Sequence, residues 1–263
     1  MARIVAVTNQ KGGVGKTTTC VNLSASLAAT KRRVLLVDMD PQGNATMGSG
    51  VDKNALKTSG FDVLTKRRDA ADVVVRVDDA GFDLLPANGD LTAAEVELMN
   101  EIGREHRLRL ALKELRSQYD FILIDCPPSL NLLTVNALAA ADSVLIPMQC
   151  EYYALEGLAA LMNTIEQIQE TVNPSLEIEG ILRTMYDPRN SLTLDVSNQL
   201  SEFFGDKVYT AVIPRNVRLA EAPSYGLPAL KYDRQSKGAI AYLALAGEIV
   251  RRTGAGKAAA VAV

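Results

Sequence analysis

Seven short apolar runs punctuate the chain, at 4–8, 34–38, 82–86, 121–125, 143–147, 178–185 and 208–214. Most are continuous rather than alternating, the pattern of parallel strands buried on both faces. Between them the spacing turns helical near 16–30, 103–117, 129–140, 154–172 and 191–204, and a last helical stretch near 236–252 follows the final run. This strand–helix rhythm predicts an α/β fold, a single domain with an open, mostly parallel, twisted sheet and helices on both faces. A closed (β/α)8 barrel would place a phosphate site late in the chain. Here a glycine-rich loop follows the first run, which favours the open sheet. Residues 45–80 are less regular, and Lys66-Arg67-Arg68 followed by Asp69, Asp72, Asp78 and Asp79 reads as a solvated surface segment. The domain is expected to span 1–254, with 255–263 as a flexible tail.

Composition narrows this picture. A chain of 263 residues, 48% of them hydrophobic, can build one large core. The three cysteines (Cys20, Cys126, Cys150) are far apart and form no Cys-x-x-Cys pair, so reduced core thiols are expected rather than a structural zinc or iron–sulfur site. The single histidine, His106, falls in a charged helical stretch and is expected to face solvent. No run reaches the ~20 apolar residues of a membrane span, and no signal-peptide pattern precedes the first strand, so a cytoplasmic location is expected. The net charge of −3 hides an asymmetry. Residues 1–182 hold 24 acidic and 17 basic side chains (net −7), and residues 183–263 hold 7 and 11 (net +4). A local basic surface on an acidic chain suits a polyanion.

The sharpest signal is Lys11-Gly12-Gly13-Val14-Gly15-Lys16-Thr17-Thr18, placed after a strand and at the start of a helix. That context is what a phosphate-binding P-loop requires. The glycines let backbone N–H groups curl inward around phosphate oxygens, and the helix adds its positive end. Lys16 is expected to neutralise β- and γ-phosphate charge, Thr17 to offer its hydroxyl to Mg²⁺, and Thr18 to contact the α-phosphate. The ordinary P-loop pattern would have glycine at position 10, where this chain has Gln10. The run 34–38 ends in Asp38, with Asp40 two residues on, and both can face the phosphate edge of the sheet. The run 121–125 ends in Asp125, expected to hold Mg²⁺ through water. Cys126-Pro127-Pro128-Ser129 then opens a stiff loop able to sense the γ-phosphate.

With Lys11, the loop resembles the deviant Walker A loop of the ParA/MinD group. The segments NQKGGVGKTT, LLVDMDPQGN, FILIDCPPS and IPRNVRLAEAPSYGLP resemble ParA/Soj partitioning ATPases. The resemblance implies a slow, partner-stimulated ATPase with ATP and Mg²⁺ as ligands. It implies an ATP-bound homodimer in which each Lys11 reaches the phosphates of the opposite subunit. Asp40 would polarise the attacking water, and Asp38 would support the loop and Mg²⁺. Pro214, Arg215 and Asn216 would hold adenine. A ParB-type partner would stimulate hydrolysis with an arginine-bearing peptide. Arg189 and Arg218 match DNA-binding positions, and Lys231, Lys237 and Arg251 would extend the patch, with Lys207, Arg234 and Arg252 as further members. Double-stranded DNA would be bound without sequence preference, placing the protein on the nucleoid. The short stretch before Arg3 fits the chromosomal rather than the plasmid type. A MinD-like membrane-associated ATPase is the alternative, but 254–263 lacks the bulky apolar face of a membrane-binding helix. A nitrogenase-reductase-like carrier would need cysteines at the dimer axis, and a related tyrosine kinase a tyrosine-rich tail.

Overall fold

The computed structural model describes residues 1–260, with side chains as far as Gly254. The tail expected over 255–263 lies beyond the described side chains. Eight strands are found among the described residues: β1 (Arg3–Val7), β2 (Val34–Asp38), β3 (Val75–Val77), β4 (Phe82–Leu85), β5 (Phe121–Asp125), β6 (Ser143–Gln149), β7 (Glu177–Tyr186) and β8 (Val208–Pro214). They form one sheet in the order β3-β4-β2-β5-β1-β6-β7-β8. Every neighbouring pair is parallel except β3 with β4.

The continuous apolar runs are explained by helices on both faces. Ile4, Ala6, Leu35, Val37, Ile122 and Ile124 point into one core, covered by helices that include Leu132–Ala140 and Ala154–Thr171. Val5, Val7, Leu36, Leu123 and Leu145 point into the other, under helix Lys16–Ala29 and helix Lys237–Ala260. Successive side chains alternate faces, yet both faces are dry, so no polar alternation survives in the sequence. The three cysteines are buried and free, as expected.

Four expectations change. Strand β3 lies inside the segment read as irregular. It is an edge strand of three residues, joined to β4 by a tight turn in which the Ala80 and Gly81 N–H groups donate to the Val77 carbonyl, and its run is too short to give a periodic signal. The helix expected over 103–117 is interrupted. Asn136 accepts from the Leu108 N–H at 3.1 Å and donates to the Arg104 carbonyl at 2.9 Å, so its amide takes both groups that would have closed one helical turn. What remains is helix Arg107–Leu112 between two single turns. His106 sits at this break half-buried, its Nδ1 without a hydrogen-bond partner, rather than on a solvated face. The helix expected from 129 begins at Leu132, because Pro127 and Pro128 stiffen the entry and Asn131 caps it, accepting from the Thr134 N–H at 3.1 Å.

Two glycines lock the phosphate edge together. Gly50 (φ 88°) and Gly226 (φ 65°) pack back to back, and a Cβ on Gly226 would lie 2.6 Å from the Gly50 Cα. This contact joins the segment after β2 to the segment after β8. Gly226→Ala should therefore cost about 1–3 kcal/mol of stability through strained φ and steric conflict. Urea denaturation measures it, and a midpoint equal to that of the unsubstituted protein would contradict the account.

Candidate functional site

The site lies at the carboxyl ends of β1, β2 and β5, where the order of connections reverses across the sheet. Between β1 and helix Lys16–Ala29 the chain turns through Gly13 (φ 74°) and Gly15 (φ 90°), which are left-handed conformations that favour glycine. Chain neighbours apart, no atom stands within 4 Å of where a Cβ on Gly12 or Gly13 would be, so the loop has open space beside it. The loop is pinned from outside. The buried Asn9 accepts from the Lys11 N–H at 2.9 Å and donates to the Pro147 carbonyl at 2.9 Å. The Thr184 hydroxyl donates to the Val14 carbonyl at 2.8 Å, and the Gln149 amide to the Gly13 carbonyl at 3.2 Å. The Gly13 and Val14 carbonyls are thus engaged from outside, which leaves the loop's N–H groups after Lys11 for phosphate.

Lys16 is buried, its ammonium donating to the Lys11 carbonyl at 3.2 Å. Burial lowers its pKa, and the charges of Asp125 and Asp40 pull it back up. Asp38 and Asp125 are register partners on adjacent strands and both are fully buried. Asp38 is committed to the protein. Its carboxylate accepts from the Thr46 N–H (2.8 Å), the Thr46 hydroxyl (2.7 Å) and the Asp40 N–H (3.1 Å). The Thr46 hydroxyl also accepts from the Ala87 N–H, which extends the network to the segment after β4. Burial raises the Asp38 pKa to about 6, against the lowering effect of these bonds.

Asp125 is different. Neither of its buried oxygens is met at hydrogen-bond geometry; burial, then the Asp38 charge, pushes its pKa up to about 8, outweighing the lowering effect of the nearby Thr17 hydroxyl and Cys20 thiol. Orphaned carboxylate oxygens beside a phosphate loop fit a hydrated Mg²⁺. Among the described residues no group of three His, Cys, Asp or Glu side chains is placed to hold a metal ion alone. Asp40 lines the cavity, and one of its oxygens accepts from the Gln42 N–H at 2.9 Å.

Gly12, Gly13, Gly15, Lys16, Thr17, Thr18 and Asp40 line one open cavity of about 620 Å³, with Pro127, Pro128, Ser129 and Asn131 across from them. A slot of about 180 Å³ adjoins it through Gly15, Thr18 and Met185, walled by Ile213, Pro214, Arg215, Asn216, Leu219 and Tyr242. The Asn216 Oδ1 is buried there without a partner, an acceptor suited to the exocyclic amine of adenine. Val14 lines neither space and is buried in the core beneath the loop. Lys11 also lies outside the cavity lining, with its ammonium 2.6 Å from Glu151.

The basic residues named from sequence are not equally available. Arg189 is held in a two-pronged pair by Asp187 (2.9 and 2.8 Å). Arg218 meets Glu221 at 2.7 Å and Asp233 at 3.3 Å. Lys231, Lys237 and Arg251 are exposed and enter none of the described ion pairs. Helix Val217–Glu221, helix Ala229–Tyr232 and the start of helix Lys237–Ala260 pack together, which brings Arg218, Lys231 and Lys237 to one corner. Arg251 lies ~21 Å further along the last helix. Lys207 and Arg252 instead support structure, donating to backbone carbonyls of Ile178 and Asp206. Thr46, Gln149, Glu151 and Thr184 fall outside the segments that carry the family resemblance, and Asn9, inside one, has no role read from it. Asn9, Gln149, Glu151 and Thr184 lie at or near strand ends, and Thr46 lies in helix Asn44–Gly48.

Residues 2–178 match the family model described as an AAA domain. The chain is 53% identical over 249 residues to the sporulation initiation inhibitor protein Soj of Bacillus subtilis, covering 95% of this chain and 98% of that protein. It is 52% identical over 252 residues to the chromosome partitioning protein ParA of Caulobacter vibrioides, covering 95% and 94%. Its fold matches, at TM-score 0.86, the structure of cobyrinic acid a,c-diamide synthase from Mycobacterium smegmatis with bound ADP and magnesium, 41% identical with 97% of each chain covered. Fold and site together define a P-loop ATPase whose ligands are ATP and Mg²⁺. The chain belongs to the ParA/Soj family of chromosome-partitioning ATPases.

The raised Asp125 pKa has a thermodynamic consequence. The folded chain keeps a proton on Asp125 up to about pH 8, whereas the ordinary value is 3.8. Between those limits the folded state binds more protons than the unfolded state, so this group's contribution to stability falls as pH rises. The nucleotide-free Asp125→Asn protein should gain stability over the unsubstituted protein progressively from about pH 4 to 8. Urea midpoints across that range test it, and a pH-independent difference would contradict it.

Proposed function

We propose that the protein is an ATP-driven DNA-partitioning switch in chromosome segregation. ATP brings two subunits face to face, the homodimer binds double-stranded DNA without sequence preference, and hydrolysis stimulated by a ParB-type partner releases it. The observation that carries this reading is the division of labour between two lysines. Lys16 is buried in the phosphate cavity, while Lys11 leaves the same loop outward with its side chain 46% exposed. A lysine so placed is poorly set to wrap its own phosphates and well set to reach those of a facing subunit.

Within one site the residues divide the work of phosphoryl transfer, which is mostly positioning and charge neutralisation. Loop N–H groups and Lys16 hold the β- and γ-phosphates, Thr18 the α-phosphate, and Pro214, Arg215 and Asn216 the adenine. Thr17 and Asp125 would hold Mg²⁺, which spreads the charge developing on the phosphates. Asp38 acts one step back, fixing the backbone of Asp40 and Thr46. Asp40 has one oxygen fixed by Gln42, and the other is left to orient the attacking water. Turnover by one subunit is slow because Lys11 comes from its neighbour.

DNA binding is read from the corner formed by Arg218, Lys231 and Lys237. Lys237 opens a long helix whose positive end adds to its charge. Arg189 and Arg251 are assigned to the periphery of the patch. A dimer doubles the cationic surface, so ATP raises DNA affinity through avidity. Such contacts fix phosphates rather than bases and weaken steeply with salt.

Fluorescence anisotropy on a random-sequence duplex, with ADP and with ATP, tests the reading. Asp40→Ala should slow ATP turnover ~100-fold or more and persist on DNA with ATP. Arg218→Glu should weaken DNA binding ~10-fold or more while leaving the ATP-dependent dimer intact. Unchanged turnover in the first variant, or full DNA affinity at low salt in the second, would sink the corresponding assignment.

A further inference from the structure

Lys11 is not unattached in the single subunit. Its ammonium meets the Glu151 carboxylate at 2.6 Å, with each side chain about half exposed (46% and 49%). Glu151 follows β6, the parallel neighbour of β1, so the pair joins two loops that leave adjacent strands at the same edge of the sheet. Two residues earlier, Gln149 reaches across to the Gly13 carbonyl. The carboxylate is therefore carried by a segment already tied to the glycine loop.

The residues that follow are of another kind. Tyr152 and Tyr153 are exposed (74% and 69%), with their rings edge to face at 4.9 Å between centroids. Helix Ala154–Thr171 begins at Tyr153 with no side-chain cap. An exposed aromatic pair on an uncapped helix start, beside an ion pair, is a surface that an approaching molecule would cover and shift together.

We propose that Glu151 is a positioning residue that holds Lys11 on its own subunit, and that docking of a second copy of this chain over Tyr152 and Tyr153 displaces Glu151 and frees Lys11 for the partner's phosphates. The inference rests on the reading of Lys11 as the lysine that crosses between subunits. An ammonium cannot serve a carboxylate and a facing triphosphate at once. The triphosphate carries more charge and wins, but only once the facing subunit is in place. Glu151 thereby sets the protein concentration at which ATP produces the hydrolysing dimer.

The test is ATP turnover measured against protein concentration for the unsubstituted protein and for Glu151→Gln, in low salt and in high salt. Removing one half-exposed ion pair should lower the half-maximal protein concentration about two- to fivefold, with the plateau rate unchanged. The gap should close in high salt, where exposed pairs are screened. A purely structural role for Glu151 would instead change the plateau or give a shift that salt leaves alone. An unchanged or raised half-maximal concentration would overturn the proposal while leaving the dimer reading intact. Turnover per subunit that does not depend on concentration in the unsubstituted protein would bring down the dimer reading itself, and this inference with it.

Discussion

Two aspartates stand side by side on neighbouring strands in a dry part of the protein, and the site is organised around that arrangement. Asp38 and Asp125 are register partners, and burial opposes the charge of each. The fold resolves the conflict unequally. Asp38 takes three donors from the segment that follows it, so its charge shapes the backbone that presents Asp40. Asp125 has only the Thr17 hydroxyl and the Cys20 thiol near it and no well-formed hydrogen bond, so it remains an unmet demand for a cation at the edge where a phosphate loop opens. A site of this kind is costly to the isolated fold and is relieved by its ligands.

The remaining construction holds the glycine loop in place from outside. Asn9, Gln149 and Thr184 each engage a loop group from the outer side. Thr19 and Tyr242, hydroxyl to hydroxyl at 3.0 Å, tie the helix behind the loop to the last helix of the chain. Backbone donors fixed in advance need no reorganisation when phosphate arrives. Lys11, which lies outside the cavity lining, is the loop residue we propose reaches another molecule.

How much of this could be read from the sequence depends on how local each signal is. The glycine loop, Lys16 and the strand-end aspartates were legible because chemistry and spacing fall within a few residues. The parallel sheet was legible because two-sided burial makes continuous apolar runs. The break near Leu108 was not, because it is imposed by Asn136 from another helix. Strand β3 was too short to show a period. Thr184 and Glu151 act across 170 and 140 residues, and no spacing rule connects them to the loop. The charge count overstated the free cations of the last third, since Arg189 and Arg218 are already met by carboxylates close to them in the fold.

The central claim is that nucleotide binding and subunit pairing are separate acts of two lysines on one loop. Sedimentation velocity on Lys11→Ala with saturating ATP, alongside a direct ATP-binding titration, addresses it most directly. The account predicts that this variant binds ATP about as tightly as the unsubstituted protein yet sediments as a monomer. An ATP-dependent dimer formed without Lys11, or loss of ATP binding by the lone subunit, would contradict it.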